Sequence, residues 1–200
     1  ILDGTLTGEV EMVGADYTLN LGGTESEGTT LFGGDGTDTF NVSSVTGITL
    51  TTTSGLGVAI REFENFNFDG DNVTIAGDHV GWEQVNFRDG TTFLGDGQSN
   101  ASLSATMGTI FMGATLHARD NATFTGNLIN DGTLLIGNSP GIFNLIGNFT
   151  QNADGTLVVE YDGLLEDGDI LNVEGEAILG GTLNILFLSL PSSIQDWTFL

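Results

Sequence analysis

Residues 84–97 read Gln84-Val85-Asn86-Phe87-Arg88-Asp89-Gly90-Thr91-Thr92-Phe93-Leu94-Gly95-Asp96-Gly97, and this stretch decides the fold. Gln84–Phe87 alternates polar with apolar side chains, the two-residue period of a strand with one buried face. Thr91–Leu94 is a second short run of strand formers. Asp89-Gly90 stands between them, and Gly95-Asp96-Gly97 closes the pair. Gly, and to a lesser extent Asp, tolerates positive φ, so these are turns. The unit is strand, Asp-Gly, strand.

Working outward, the unit returns at Asp35-Gly36, Asp69-Gly70, Asp131-Gly132, Asp154-Gly155, Asp162-Gly163 and Asp167-Gly168. Before the quoted stretch, strand-like runs lie at Thr5–Met12, Tyr17–Leu21, Thr29–Phe32, Thr39–Val42, Ile48–Thr52, Asn65–Phe68 and Asn72–Ile75. After it come Thr109–Met112, Ala122–Thr125, Thr133–Ile136, Ile142–Thr150, Thr156–Tyr161, Ile170–Val173 and Ala177–Leu188. No extended 3.6-residue apolar period appears, which argues against long helices. Few runs are wholly apolar, which argues against a parallel sheet buried between helices. The intervals vary but cluster near the ~20 residues of one β-helix coil. We therefore expect an all-β chain wound as a right-handed parallel β-helix. Each coil of such a solenoid buries its inward Val, Ile, Leu or Phe against the next.

From about Gly126 the strands lengthen and the apolar fraction rises. A solenoid needs an atypical end to stop strand addition at its open edge. The expected organisation is β-helix coils over 1–125 and a terminal, capping region over 126–200, with Leu183 in its core. The chain opens at Ile1 without methionine and stops inside an apolar run, so we read it as a segment of a longer protein.

Composition narrows the function. Hydrophobic residues make up 39%, enough to fold, and the 31 glycines lack the third-residue period of collagen. There are 27 acidic residues against three arginines (Arg61, Arg88, Arg119), giving a net charge of −24. Nucleic acid and anionic membrane both need basic patches, so neither is a direct partner. The self-repulsion calls for screening or divalent cations, which fits a salty or calcium-rich exterior. Without cysteine the chain has no disulfide, thiolate metal site or cysteine nucleophile. No apolar run approaches the ~20 residues of a membrane-spanning helix.

The sharpest local motif is Gly33-Gly34-Asp35-Gly36-Thr37-Asp38-Thr39-Phe40-Asn41. It resembles the calcium-binding nonapeptide of RTX-type β-rolls, with Phe40 as the large apolar residue. Glycines let carbonyls turn toward a cation, and aspartate supplies a hard oxygen ligand. The candidate calcium ligands are Asp35 and Asp38, with the carbonyls of Gly33 and Gly36. The bland alternative is a Gly/Asp-rich turn between coils. Asp69-Gly70-Asp71-Asn72 and Gly95-Asp96-Gly97 are partial echoes.

A longer pattern begins at Asn130-Asp131-Gly132-Thr133-Leu134-Leu135-Ile136-Gly137-Asn138-Ser139-Pro140-Gly141. Gly147-Asn148-Phe149-Thr150-Gln151, Gly155-Thr156-Leu157-Val158-Val159-Glu160, Asp169-Ile170-Leu171-Asn172-Val173-Glu174-Gly175 and Leu179-Gly180-Gly181-Thr182-Leu183-Asn184-Ile185 follow in order. This succession, from about Asn130 to Ile185, resembles the end of autotransporter passenger domains. Phe63-Glu64-Asn65-Phe66 fits that family's Phe-Glu pair introducing a coil. The resemblance implies a parallel β-helix displayed outside a Gram-negative bacterium and joined to an outer-membrane barrel elsewhere in the parent chain. It also implies that the last coils fold first and template the rest. Read without the family, the same glycines punctuate turns and the same Leu, Ile and Val residues fill a core.

Catalytic signals are thin. His79 and Glu83 lie four apart, but Gly81 and Trp82 between them spoil a helical metal pair. Both His79 and His117 read as surface histidines, and Trp82 and Trp197 as core. Acid pairs that could imitate a glycosidase are expected by chance among so many carboxylates. We expect a non-catalytic, extracellular scaffold or adhesin segment of an autotransporter-like protein, with self-association open to it. The second expectation is a self-assembling acidic layer or filament subunit stabilised by calcium. A carbohydrate-active β-helix enzyme is the third, and it would need a cationic, aromatic groove.

Overall fold

Strands of four or five residues with one apolar face cannot be stable alone, so each must stack on an equivalent strand. A computed structural model describes the result for residues 2–3, 8–11, 18–22, 29–43, 47–51, 58–98, 100–119, 121–137, 140–191 and 196–200. Side chains are described from Leu31 onward, those at 58–59 excepted. Among these residues there are strands and turns but no helix.

The strands form two sheets, each of eleven strands. The chain passes from one sheet to the other and back, so successive coils stack as a parallel β-solenoid. In the first sheet the order follows the chain: Thr18–Gly22, Thr39–Val42, Asn65–Asp69, Asp78–Asp89, Ser102–Ile110, Thr123–Asn130, Ile142–Ile146, Ile170–Val173. The second sheet runs through Val73–Ala76, Thr91–Leu94, Thr115–Ala118, Thr133–Ile136 and Thr156–Asp162. Pairs such as Thr18–Thr39, Thr92–Leu116 and Thr133–Thr156 put one coil at about 20 residues. Among the described residues the exception to parallel pairing is a small hairpin, where Tyr161 faces Gly168 and Asp162 faces Asp167.

The core is a set of columns along the axis. In the second sheet Ile48, Val73, Thr92, Leu116, Leu134 and Leu157 are register partners in turn, and all are buried. In the first sheet Phe40, Phe66 and Val85 form one column and Val42, Phe68 and Phe87 the next. Phe66 lies against Phe40 at 5.8 Å and stacks on Trp82 at 3.4 Å between ring centres. On the same sheet an amide ladder crosses three coils: Asn67 Nδ2 donates to Asn41 Oδ1 (2.7 Å) and Asn86 Nδ2 to Asn67 Oδ1 (2.9 Å). Each bond adds about 1 kcal/mol and fixes register.

Gly126 lies inside the strand Thr123–Asn130, and the core continues across it. Coils approach closely here: a Cβ on Gly126 would sit 1.8 Å from Ala105 O, and one on Gly147 2.0 Å from Gly126 O. Gly147 thereby divides the single expected run Ile142–Thr150 into Ile142–Ile146 and Phe149–Gln151. Thr109–Met112 is corrected as well. The strand ends at Ile110, and Phe111 and Met112 are exposed beside a turn at Gly113. Val58–Arg61 is a strand the sequence reading lacked. It lies between Thr29–Phe32 and Ile48–Thr51, the one departure from chain order in the second sheet.

At the C-terminal end, Trp197 and Phe199 pack against the core, and Phe199 O accepts from Leu171 N–H (2.7 Å). Ala177–Leu179 and Thr182–Ser189 add a further layer in register with Phe149–Gln151 and Thr156–Asp162. The inward residues of this layer remain open. Leu183, expected in the core, is 43% exposed.

Candidate functional site

Gly33–Asp38 forms the corner where the second-sheet strand Thr29–Phe32 hands over to Thr39–Val42 in the first. Gly34 and Gly36 take φ of 94° and 129°, which makes the corner tight. Gly33 is glycine for another reason: a Cβ there would meet Glu62 O, one coil on, at 1.8 Å. Its N–H donates to Arg61 O (2.9 Å).

Asp38 is fully buried. Its N–H donates to Glu64 Oε2 (2.7 Å), and its carbonyl accepts from the N–H groups of Glu64 and Asn65. Asp35 and Gly36 stand exposed at the tip of the turn. Thus one of the two candidate carboxylates faces solvent and the other the interior. Gly33 and Asp38 are tied to the next coil by backbone bonds. Among the described residues no three His, Asp or Glu side chains converge as a metal site. The partial echoes serve as turns: Asp96 Oδ1 accepts from Gln98 N–H (2.9 Å), and Asp71 Oδ1 from Thr91 N–H (3.1 Å).

Above this corner lies a cavity of about 260 Å³ bordered by Arg61, Glu62, Asp78, His79, Val80 and Trp82. The strand Asp78–Asp89 bulges between His79 and Trp82, with Gly81 at φ 86°. The extra residue turns both His79 and Trp82 inward. His79, expected at the surface, is therefore buried, 5.3 Å from Trp82 between ring centres. Burial lowers its pKa, opposed by the carbonyls of Ala76 and Leu50 and by Asp78. Burial thus favours the neutral ring, whose Nε2 lies 3.1 Å from Ala76 O. Glu83 is exposed, so the two do not act together.

His117 keeps its expected outward place, half-buried, with Nε2 2.6 Å from Gly137 O. Phe93 lies beside it, and the Arg119 guanidinium covers Phe93 at 3.6 Å. The cluster spends one of the three cations on a coil contact.

Asp169 was not singled out as a site by the sequence, yet its buried carboxylate is held by two backbone N–H groups. Oδ1 accepts from Gly141 N–H (2.8 Å) and Oδ2 from Glu160 N–H (2.7 Å). Burial raises its pKa to about 6 against those two bonds, and the charges of Glu160 and Asp167 push the same way as burial. Burial also raises the Glu160 pKa. No family model, curated protein or solved structure matches this chain.

Asp169 joins pieces that lie apart in sequence: the turn ending at Gly141, the strand Thr156–Asp162, and the strand Ile170–Val173 that it precedes. Its signal in the sequence was its place at the head of the stretch Asp169–Gly175, directly before an apolar run. Two buried amides hold the following layer. Asn130 Nδ2 donates to Gln151 Oε1 (3.3 Å), and Gln151 Nε2 to Thr182 O (3.1 Å). The expected positions thus fall at separate coil contacts.

Proposed function

We propose that the chain is a non-catalytic, extracellular scaffold or adhesin segment, of the kind found in autotransporter passengers. The observation that supports this most is the continuity of the columns. The buried polar groups Asp38, Asn130, Gln151 and Asp169 join one coil to another. The coils before Ala177 expose many threonines, asparagines and acids, a hydrated surface suited to a stalk. The order from Asn130 to Ile185 supplies the likeness to passenger ends, and Asp169 gives two parts of that order a physical link.

The test is location. Antibodies against residues 31–191 should label intact cells of the source organism, and added protease should remove the label. Signal only after lysis overturns the reading. The second proposal, an acidic layer held by calcium, rests on the corner where Asp38 is tied to Glu64. Its test is calcium-dependent melting, described below.

A further inference from the structure

The cavity beside His79 has a topological cause. In the first sheet Asn65–Asp69 and Asp78–Asp89 are direct neighbours, about 4.8 Å apart. The second-sheet strands that lead into them, Val58–Arg61 and Val73–Ala76, are not neighbours, because Ile48–Thr51 lies between them. Two coils one strand apart on one sheet are therefore two strands apart on the other. The corner between them opens as a wedge of about 260 Å³, with Arg61 and Glu62 on one wall and Asp78, His79 and Trp82 on the other. Both walls are held in place. Gly33 N–H donates to Arg61 O (2.9 Å), and Glu62 sits at φ 60°, a conformation that a glutamate keeps only where its surroundings impose it. Trp82 is fixed by stacking on Phe66.

The polar groups of the wedge mostly accept. His79 Nε2 lies beside Ala76 O, and a carbonyl only accepts, so Nε2 carries the proton and Nδ1 is left as an acceptor. Nδ1 is buried and meets no donor. Glu62 and Asp78 are exposed carboxylates, and Asp78 is oriented by the Ser102 hydroxyl, which donates to its Oδ1 (2.6 Å). Arg61 donates. An occupant must therefore offer several donors and an acceptor, and hydroxyl groups do both. The Trp82 indole adds an apolar surface suited to the C–H face of a ring. Two carboxylates disfavour an anion, and Arg61 disfavours a cation. The volume falls below the usual range for ligand cavities, about 300–1,000 Å³, which limits the occupant to one ring. We propose that the wedge binds a single neutral sugar ring, as the terminal residue of a glycan. The proposal rests on the non-catalytic scaffold reading and gives the scaffold a ligand.

The experiment titrates the whole chain with methyl glucoside, methyl galactoside and methyl mannoside, read by tryptophan emission and by NMR saturation transfer. At least one should saturate with a dissociation constant of about 1 mM, the strength expected of a ligand of about a dozen heavy atoms. Glucuronate should bind at least about tenfold more weakly, because Glu62 and Asp78 repel its carboxylate. His79→Phe removes the buried acceptor and should abolish binding. Glu62→Gln and Asp78→Asn should each weaken it about fivefold or more. These two positions are exposed, so they keep the test open should His79→Phe fail to fold, which melting curves check. No saturation by any glycoside up to about 100 mM overturns the proposal. So does glucuronate binding more tightly than the neutral sugars, or binding that all three variants leave unchanged. Sugar binding by a chain found only inside cells would overturn the extracellular reading and leave the pocket standing.

Discussion

Leu157 and Leu183 are ladder partners with the same side chain, the same threonine before it and the same place in a strand. One is 1% exposed and the other 43%. Around Phe66, by contrast, aromatic rings close on the column from both neighbouring coils. The difference teaches that a solenoid strand does not bury its own apolar face. The coil beyond it does, so a column is worth most in its middle and least at its end.

The largest effect should come from the middle. Phe66→Ala leaves a void between Phe40 and Trp82 and should cost about 3–5 kcal/mol in denaturant unfolding. The comparison itself is tested within one column. Leu134→Ala should cost about 2–5 kcal/mol, whereas Leu183→Ala should cost about 1 kcal/mol or less, because little apolar area leaves the interior. Equal losses at both sites would mean that the last layer is covered in solution.

Asp38→Asn replaces an acceptor by a donor in a buried corner and should cost about 1–3 kcal/mol. We expect that loss in chelator as well as in calcium, since Asp38 faces the interior. If instead millimolar calcium in high salt raises the wild-type Tm and leaves Asp38→Asn unmoved, the corner binds the ion.

A further effect concerns pH. The folded-state pKa of Asp169 lies near 6, above the ordinary carboxylate value, so the fold holds this proton more tightly than the unfolded chain does. Its contribution is present below about pH 4 and is lost as pH rises through about 6. Full shielding would make it worth about 3 kcal/mol, and solvent screening reduces that to about 1–2 kcal/mol. Tm should therefore be higher at pH 5 than at pH 8. General relief of acidic repulsion acts in the same direction, so the comparison is with Asp169→Asn, whose rise should be smaller.

Much of the coil pattern was legible, because alternation and Asp-Gly turns are local. Thr29–Phe32, Thr39–Val42, Thr91–Leu94, Thr133–Ile136 and Ile170–Val173 form where their residues predict. The side facing inward was less legible. In Thr91–Leu94 the register buries Thr92 and turns Phe93 out beneath Arg119, against their hydrophobicities. His79 was misplaced because a bulge shifts the alternation, and a bulge depends on the partner strand. Asp169 was missed because one donor, Gly141, comes from the preceding coil and the other, Glu160, meets it only through the hairpin that pairs Tyr161 with Gly168.

The sequence by itself determined an acidic, all-β chain of short strands closed by glycine turns, since period and turn chemistry act over a few residues. Tertiary structure decided which carboxylates are buried, which histidine is buried, and which leucine of a matched pair meets water. Those properties depend on the coil above and the coil below, about 20 residues away in either direction, and no local pattern carries that information.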